Sequence, residues 1–239
     1  MSDAVVTVEA VTKRYGNIVA VNDVSLSISR GEVYSLVGAN GAGKSTLIRM
    51  IVGITDPDQG RVFICGDDLA KRMPNTKRHL GYLPEELVLY NRLTGKEYLH
   101  LIAGLKEADK SQIPEEVSFF ELSHVENKLV GGHSLGMRKK LGLAAAMIGK
   151  PDVLVLDEPL NGLDVEMMRK LRLRITDERK EGRAVLVSSH VMSFVERVSD
   201  RVGVMRAGKL VAEDSPSGLR MSTGLIDVDF EDVFFQLTS

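Results

Sequence analysis

Val33-Tyr-Ser-Leu-Val37 runs into Gly38-Ala-Asn-Gly-Ala-Gly-Lys-Ser-Thr46, and that run leads into Leu47-Ile-Arg-Met-Ile-Val52. The middle segment spells glycine, four residues, glycine, lysine, then serine, which is the pattern of a phosphate-binding loop. Glycines 38, 41 and 43 have no Cβ and can take positive φ angles. The backbone of Gly38, Ala39, Asn40, Gly41, Ala42 and Gly43 can therefore curl and aim N–H groups at phosphate oxygens. A helix is expected from Gly43-Lys44 onward through Thr46, so its partial positive end faces the same anion. Lys44 adds a full charge, and the Ser45 hydroxyl is a hard oxygen donor for Mg²⁺. The flanks agree with the motif: a β-rich run precedes it and helically spaced apolar residues follow.

The chain of 239 residues is long for a minimal domain and short for two full ones, which suits one α/β core with an inserted subdomain. Its net charge of −2 gives no global electrostatic case for nucleic-acid binding. No stretch approaches the roughly 20 apolar residues needed to cross a bilayer, and Met1-Ser-Asp-Ala lacks the features of a signal peptide. A cytoplasmic location is expected, with any membrane-spanning part on another chain. The single cysteine, Cys65, follows a strand-like run and reads as a buried structural thiol. His79, His100 and His124 have no ligand-like spacing and read as solvated.

Residues 5–11 and 21–28 alternate as in a half-exposed antiparallel sheet, and residues 60–65 form a further short strand. Residues 88–150 are rich in helix signals. Thr94-Gly-Lys-Glu97 is a capping box, and Pro114 suits the first turn of a second helix. Residues 152–156 and 184–187 are continuous apolar runs, as expected of parallel strands buried on both faces. A charged helix is expected between them, from about 164 to 181. Residues 202–205 and 209–212 flank Ala207-Gly208 as a hairpin, and 230–237 can form an apolar-faced helix.

Leu156-Asp157-Glu158-Pro159 ends one of the buried strands. A carboxylate there is costly unless it meets a cation. Asp157 is placed to hold Mg²⁺, directly or through water, and Glu158 to polarise an attacking water.

In these motifs, and in their order along essentially the whole chain, the sequence resembles the ATPase subunits of ABC transporters. The resemblance implies a P-loop NTPase core with a mostly parallel sheet, an N-terminal antiparallel β-subdomain and an inserted α-helical subdomain. It divides the single domain into a core at 1–87 and 151–215, a helical subdomain at 88–150 and a tail at 216–239. Asn161-Gly-Leu-Asp164 is similar to the family's D-loop. His190 sits where the family places its switch histidine, and Tyr15 where an aromatic ring stacks on adenine. His133-Ser-Leu-Gly-Met137 occupies the place of the signature motif. Ser134 there is positioned to start a helix, so its hydroxyl and the first N–H groups can face a phosphate.

Arg138, Lys139 and Lys140 follow Ser134 and oppose the helix dipole, so they answer something other than helix stability. His133, Leu135 and Met137 depart from the usual signature letters, while Ser134 and Gly136 keep them. Leu135 is expected to add bulk near the phosphate. Glu85, in Gly81-Tyr-Leu-Pro-Glu85, stands where the family has glutamine and is a further candidate for Mg²⁺ or its water.

The resemblance implies ATP and Mg²⁺ as cofactors, a second ATPase subunit (homodimer or heterodimer) closing head-to-tail over two ATPs, and an integral membrane transporter subunit near residues 81–92. It also implies peripheral attachment to the inner face of the cell membrane. The Gly81–Glu85 stretch, the signature variant and Glu231-Asp-Val-Phe-Phe235 are similar to the daunorubicin-resistance type of exporter. The alternatives are a soluble ABC-type mechanical ATPase acting on the ribosome or DNA, and a small-molecule P-loop kinase or GTPase. Neither a second cassette nor a basic arm supports the first, and the second leaves Ser134 and Asp164 without a role.

Overall fold

The computed structural model describes residues 3–72, 75–225 and 228–238. Two sheets organise them. The smaller is antiparallel and is built on a long hairpin, β1 (Ala4–Tyr15) and β2 (Ile18–Ser29). It adds β4 (Gln59–Ile64) and the two-residue β5 (Asp67–Asp68), in the order β2-β1-β4-β5. The hairpin strands run longer than their alternation suggests because register shifts interrupt it. Ala10 and Asp23, both at positive φ, sit within these strands.

The larger sheet has the order β10-β9-β3-β8-β7-β6. Its strands β3 (Val33–Gly38), β6 (Leu80–Leu83), β7 (Val153–Asp157), β8 (Ala184–Ser188) and β9 (Arg201–Arg206) pair in parallel. β10 (Lys209–Asp214) closes one edge as the antiparallel arm of a hairpin through Ala207-Gly208. Every residue of β3, β7 and β8 is buried, which is why their sequences are continuously apolar rather than alternating.

Helix α1 (Lys44–Ile51) crosses between the two sheets and buries Leu47, Ile48 and Ile51 against both. After the short α2 (Leu69–Arg72) and β6 come α3 (Gly95–Leu105), α4 (Ile113–Phe119) and α5 (Leu135–Met147). These three occupy the helix-rich region before β7 and share one apolar core with β6, β7 and α6 (Val165–Lys180). Thr94 caps α3 through the full capping box with Glu97. Lys106 donates to the carbonyls of Ala145, Ala146 and Ile148 at the end of α5. Burial pushes its ammonium down to about 8. The last segments, α7 (Met192–Val198), α8 (Pro216–Thr223) and α9 (Phe230–Thr238), pack on β9 around Val202, Leu219, Phe230 and Val233. The expected 230–237 helix is thus present, and α8 is an addition to it.

Cys65 departs from its expectation. It lies just past β4, half-buried, in a left-handed turn at φ 51°. The backbone must reverse there into β5, so the thiol packs at the margin of the core and also comes near His79 and Asp152, which precede β6 and β7.

Candidate nucleotide site

The parallel strands all point their C-terminal ends at one edge of the sheet, and the predicted site residues gather there. β3 delivers Gly38, and the loop from Ala39 returns into α1 at Lys44. Gly43 is the N-cap residue of α1, at φ 104°. A Cβ on it would lie 2.3 Å from the backbone oxygen of Ala20, so the position excludes every other residue. Gly41 is also at positive φ, whereas Gly38 is not. The requirement at Gly38 is space, because a Cβ there would approach the Met205 carbonyl to 2.6 Å. Lys44 folds back over the loop and donates to the carbonyls of Gly38 at 2.7 Å and Ala39 at 3.3 Å.

A cavity opens in front of this loop. Residues 40–46 form its floor, Ile18, Val19, Ala20, Ala207 and Gly208 one wall, and Glu85 and Glu158 the other lip. Asp157 ends β7 and is only 2 % exposed. Its partner in register on β8 is Ser188, whose hydroxyl donates to Asp157 Oδ1 at 2.5 Å. The same hydroxyl accepts the backbone N–H of Glu158 at 2.9 Å. One serine therefore orients both acids, a role that sequence reasoning missed because it arises from strand register. Burial pushes the Asp157 carboxyl above the usual carboxylate range. The Ser188 bond opposes that shift, and the negative charges of Glu85 and Glu158 add to it.

Glu158 is 6 % exposed and sits at φ 47°, a left-handed conformation that costs a non-glycine residue on the order of 1–3 kcal/mol. That turn lifts the side chain out of the strand direction and onto the cavity lip. His190 Nδ1 lies 2.9 Å from Glu158 Oε2. An ionised carboxylate can only accept, so in that state Nδ1 carries the proton.

Lys139 is a second group that the sequence did not single out by itself. It is 4 % exposed, and its Nζ makes no hydrogen bond among the described residues. Burial pushes its ammonium down, while Asp157, Glu158 and Glu85 pull it back up. It is thus a buried amine within electrostatic reach of the acid cluster, with burial the larger influence on it. Its neighbours explain the remaining basic residues: Lys140 pairs with Glu121 at 3.0 Å and with Asp164 at 3.7 Å, and Arg138 bonds the Val130 carbonyl and Asn91.

Other predicted residues lie outside this cavity. Tyr15 is at the tip of the β1–β2 hairpin, half-exposed, with the Lys13 ammonium 5.9 Å from its ring centre. The wall itself is Ile18 to Ala20. Ser134 is the N-cap of α5 and accepts from Met137 N. Gly136 abuts the Gly162 backbone, where a Cβ would come to 2.8 Å. Asp164 caps α6 by accepting from Met167 N at 2.8 Å. Leu135 is 74 % exposed and leans on Gly162. His133 is instead buried, beside Gly95. Among the other histidines, His79 is not simply solvated: its Nδ1 sits 2.7 Å from Asp152.

The ABC transporter family model matches residues 21–161. The chain is 37% identical to a bacitracin transport ATP-binding protein of Bacillus licheniformis, over 84% of this chain and 67% of that protein. It is 34% identical to a Nod factor export ATP-binding protein of Burkholderia orbicola, over 92% of this chain and 73% of that one. Among solved structures, an ATP-binding subunit of an ABC transporter superposes with a TM-score of 0.94 at 29% identity, covering 98% of this chain and all of the other.

Proposed function

This chain belongs to the ABC transporter family and is an ATP-binding, ATP-hydrolysing subunit of such a transporter, and we propose how its residues divide that work and that the transporter is an exporter. The observation that carries the assignment of roles is that the phosphate loop and Glu158 line one cavity. The triphosphate lies against the N–H groups of residues 41–46 at the start of α1. Lys44 exchanges its two carbonyl partners for anionic oxygens, which make stronger charge-assisted bonds. Tyr15 stacks on the base from the hairpin tip.

Glu158 orients a water for in-line attack on the γ-phosphorus and takes its proton. The new P–O bond forms as the bond to the bridging oxygen breaks, and ADP leaves with that electron pair. The hydrogen bond that His190 Nδ1 donates to Oε2 leaves the other Glu158 oxygen free for the water.

The donor set suits Mg²⁺: Ser45, Asp157 and Glu85 supply hard oxygens. The buried Asp157 carboxylate, crowded by two like charges, gains from a cation. Mg²⁺ held by these residues would supply positive charge against the charge that builds on the transferring phosphoryl group. Lys139 lies within electrostatic reach of these acids, which favour its charged form against the cost of burial.

The Ser134–Met137 segment does not line the cavity of its own chain. That supports a head-to-tail pair in which the Ser134 hydroxyl, Gly136 and the start of α5 close over the γ-phosphate held by a second copy, with Asp164 beside the seam. A membrane subunit docks beside the apolar groove lined by Tyr82, Leu87, Val88 and Tyr98. Val88 is 91% exposed there. No helix among the described residues is long and apolar enough to cross a membrane, and the chain is proposed to sit on the inner membrane face through that partner. Relatives named for bacitracin transport and Nod factor export favour an exporter over a soluble mechanical ATPase.

Glu158→Gln tests the assignment. It should bind ATP normally, lose phosphate release, and run as a dimer with ATP by light scattering. Retained turnover would remove Glu158 from the reaction, and a monomer at saturating ATP would overturn the self-paired sandwich.

A further inference from the structure

At the opposite edge of the large sheet, three residues of different chemistry converge. Cys65 is in the turn after β4, His79 ends the turn that leads into β6, and Asp152 immediately precedes β7. One donor atom from each, the thiol sulfur, a ring nitrogen and a carboxylate oxygen, lies within 4.8 Å of the other two. All three residues are half-buried, so the cluster is open enough to admit an ion and sheltered enough to hold it.

We infer that Cys65, His79 and Asp152 form a Zn²⁺ site, separate from the nucleotide site, that ties the antiparallel sheet to the start of β6 and β7. The donor set selects the ion. A thiolate with an imidazole and a carboxylate suits a borderline-soft cation such as Zn²⁺ and not Mg²⁺ or Ca²⁺. Three protein ligands would leave a fourth position for water.

The backbone holds two of the ligands in place before any ion arrives. Cys65 N donates to the Val5 carbonyl at 2.7 Å, and the Asp152 carbonyl accepts from Ala184 N at 2.9 Å. His79 Nδ1 and Asp152 Oδ2 already meet at 2.7 Å, while Arg30 takes the other carboxylate oxygen at 2.9 Å. Arg30 therefore orients the carboxylate without occupying the oxygen that faces His79. Ligand atoms around a tetrahedral zinc lie about 3.3–3.8 Å apart, from bonds of roughly 2.0–2.3 Å. Closing the site needs the sulfur to approach and the His79–Asp152 pair to part slightly, both small side-chain motions.

Protons balance simply. Burial and the Asp152 charge push the Cys65 thiol up, so it is protonated until the ion displaces that proton to solvent. The proton on His79 Nδ1 is lost there and regained at Nε2.

The full chain without nucleotide, titrated first with Co²⁺ and then with Zn²⁺, tests the site. One equivalent of Co²⁺ should give a thiolate-to-cobalt absorption band in the near ultraviolet, and Zn²⁺ should abolish it. Cys65→Ser should remove the band, and His79→Ala and Asp152→Asn should each weaken Zn²⁺ binding about tenfold or more. Zn²⁺ should raise Tm in the parent chain and not in Cys65→Ser. That variant should keep the parent's ATP affinity, which shows that it is folded and that the two sites are separate. Absence of a thiolate band in the parent chain, or parent-like Zn²⁺ affinity in a folded Cys65→Ser or His79→Ala variant, would overturn the proposal.

Discussion

Ser188→Ala removes one hydroxyl and disturbs both acids at once. In the parent chain that hydroxyl donates to Asp157 Oδ1 at 2.5 Å and accepts from Glu158 N at 2.9 Å. The Glu158 N–H keeps a second acceptor, the Ser188 carbonyl at 3.2 Å, so the cost falls mainly on Asp157. A hydrogen bond to a charged, buried group contributes about 1.5–3 kcal/mol. A chain of this size shifts its Tm by about 2–4 °C per kcal/mol, so Tm should drop by roughly 3–12 °C in differential scanning fluorimetry.

The loss should be pH-dependent. Asp157 already has a raised carboxyl in the fold, and removing the donor raises it further. The fold then binds the proton more tightly than the unfolded chain does, so stability falls as pH rises through that window. The gap between variant and parent should be largest near neutral pH and should narrow in acid, where Asp157 protonates. ATP turnover should fall with nucleotide affinity less affected, because the phosphate loop is untouched. Asp157→Asn combined with Ser188→Ala should cost less than the sum of the two single changes. An unchanged Tm together with strictly additive single changes would refute the claim that this hydroxyl organises the acid pair.

Gly43→Ala puts a Cβ 2.3 Å from the Ala20 oxygen at φ 104°. It should cost at least about 2 kcal/mol and lower ATP affinity by calorimetry, and a parent-like Tm would contradict it. Lys44→Ala should weaken ATP binding itself, and equal affinity would take Lys44 out of the phosphate site. Glu116 is raised to about 7 by burial, against the pull of Arg174. Its fold therefore loses stability as pH rises from about 4.5 to 7, and Glu116→Gln should flatten that dependence by on the order of 1–3 kcal/mol in denaturation at pH 5 and pH 8. Thr94→Ala breaks the capping box of α3 and should cost about 1 kcal/mol, read as a shift in the urea midpoint.

The features legible in the sequence were those encoded by neighbours along the chain. Val33 to Val52 spelled strand, loop and helix in order, and the runs ending at Asp157 and Ser188 showed their burial by having no polar alternation. What stayed hidden depended on partners far away. β6 was missed as a strand because Leu80-Gly-Tyr-Leu83 is short and contains a glycine. That glycine is needed because a Cβ on Gly81 would lie 2.2 Å from the Ala146 carbonyl of α5. Lys139 looked like a base opposing a helix dipole, and only its burial within electrostatic reach of the acid cluster gives it a role. Cys65 looked like a fully buried thiol because the sequence does not show that the turn begins at residue 65 itself, in left-handed backbone, which leaves the thiol only half-buried at the core margin.

The same contrast shows where the chemistry is specified. A strand buried on one face is held in register by its alternation, since a one-residue slip exposes its apolar side. β7 and β8 are buried on both faces, so a slip would exchange one apolar residue for another at little cost along most of their length. The polar side-chain contact at their C-terminal ends breaks this degeneracy. Asp157 meets the Ser188 hydroxyl there, side chain to side chain. A slip of one residue would leave a buried carboxylate without its donor, at about 1–3 kcal/mol or more. The acid pair that serves hydrolysis therefore also fixes the pairing of the strands that carry it, and changes at Asp157 or Ser188 should act on fold and turnover together.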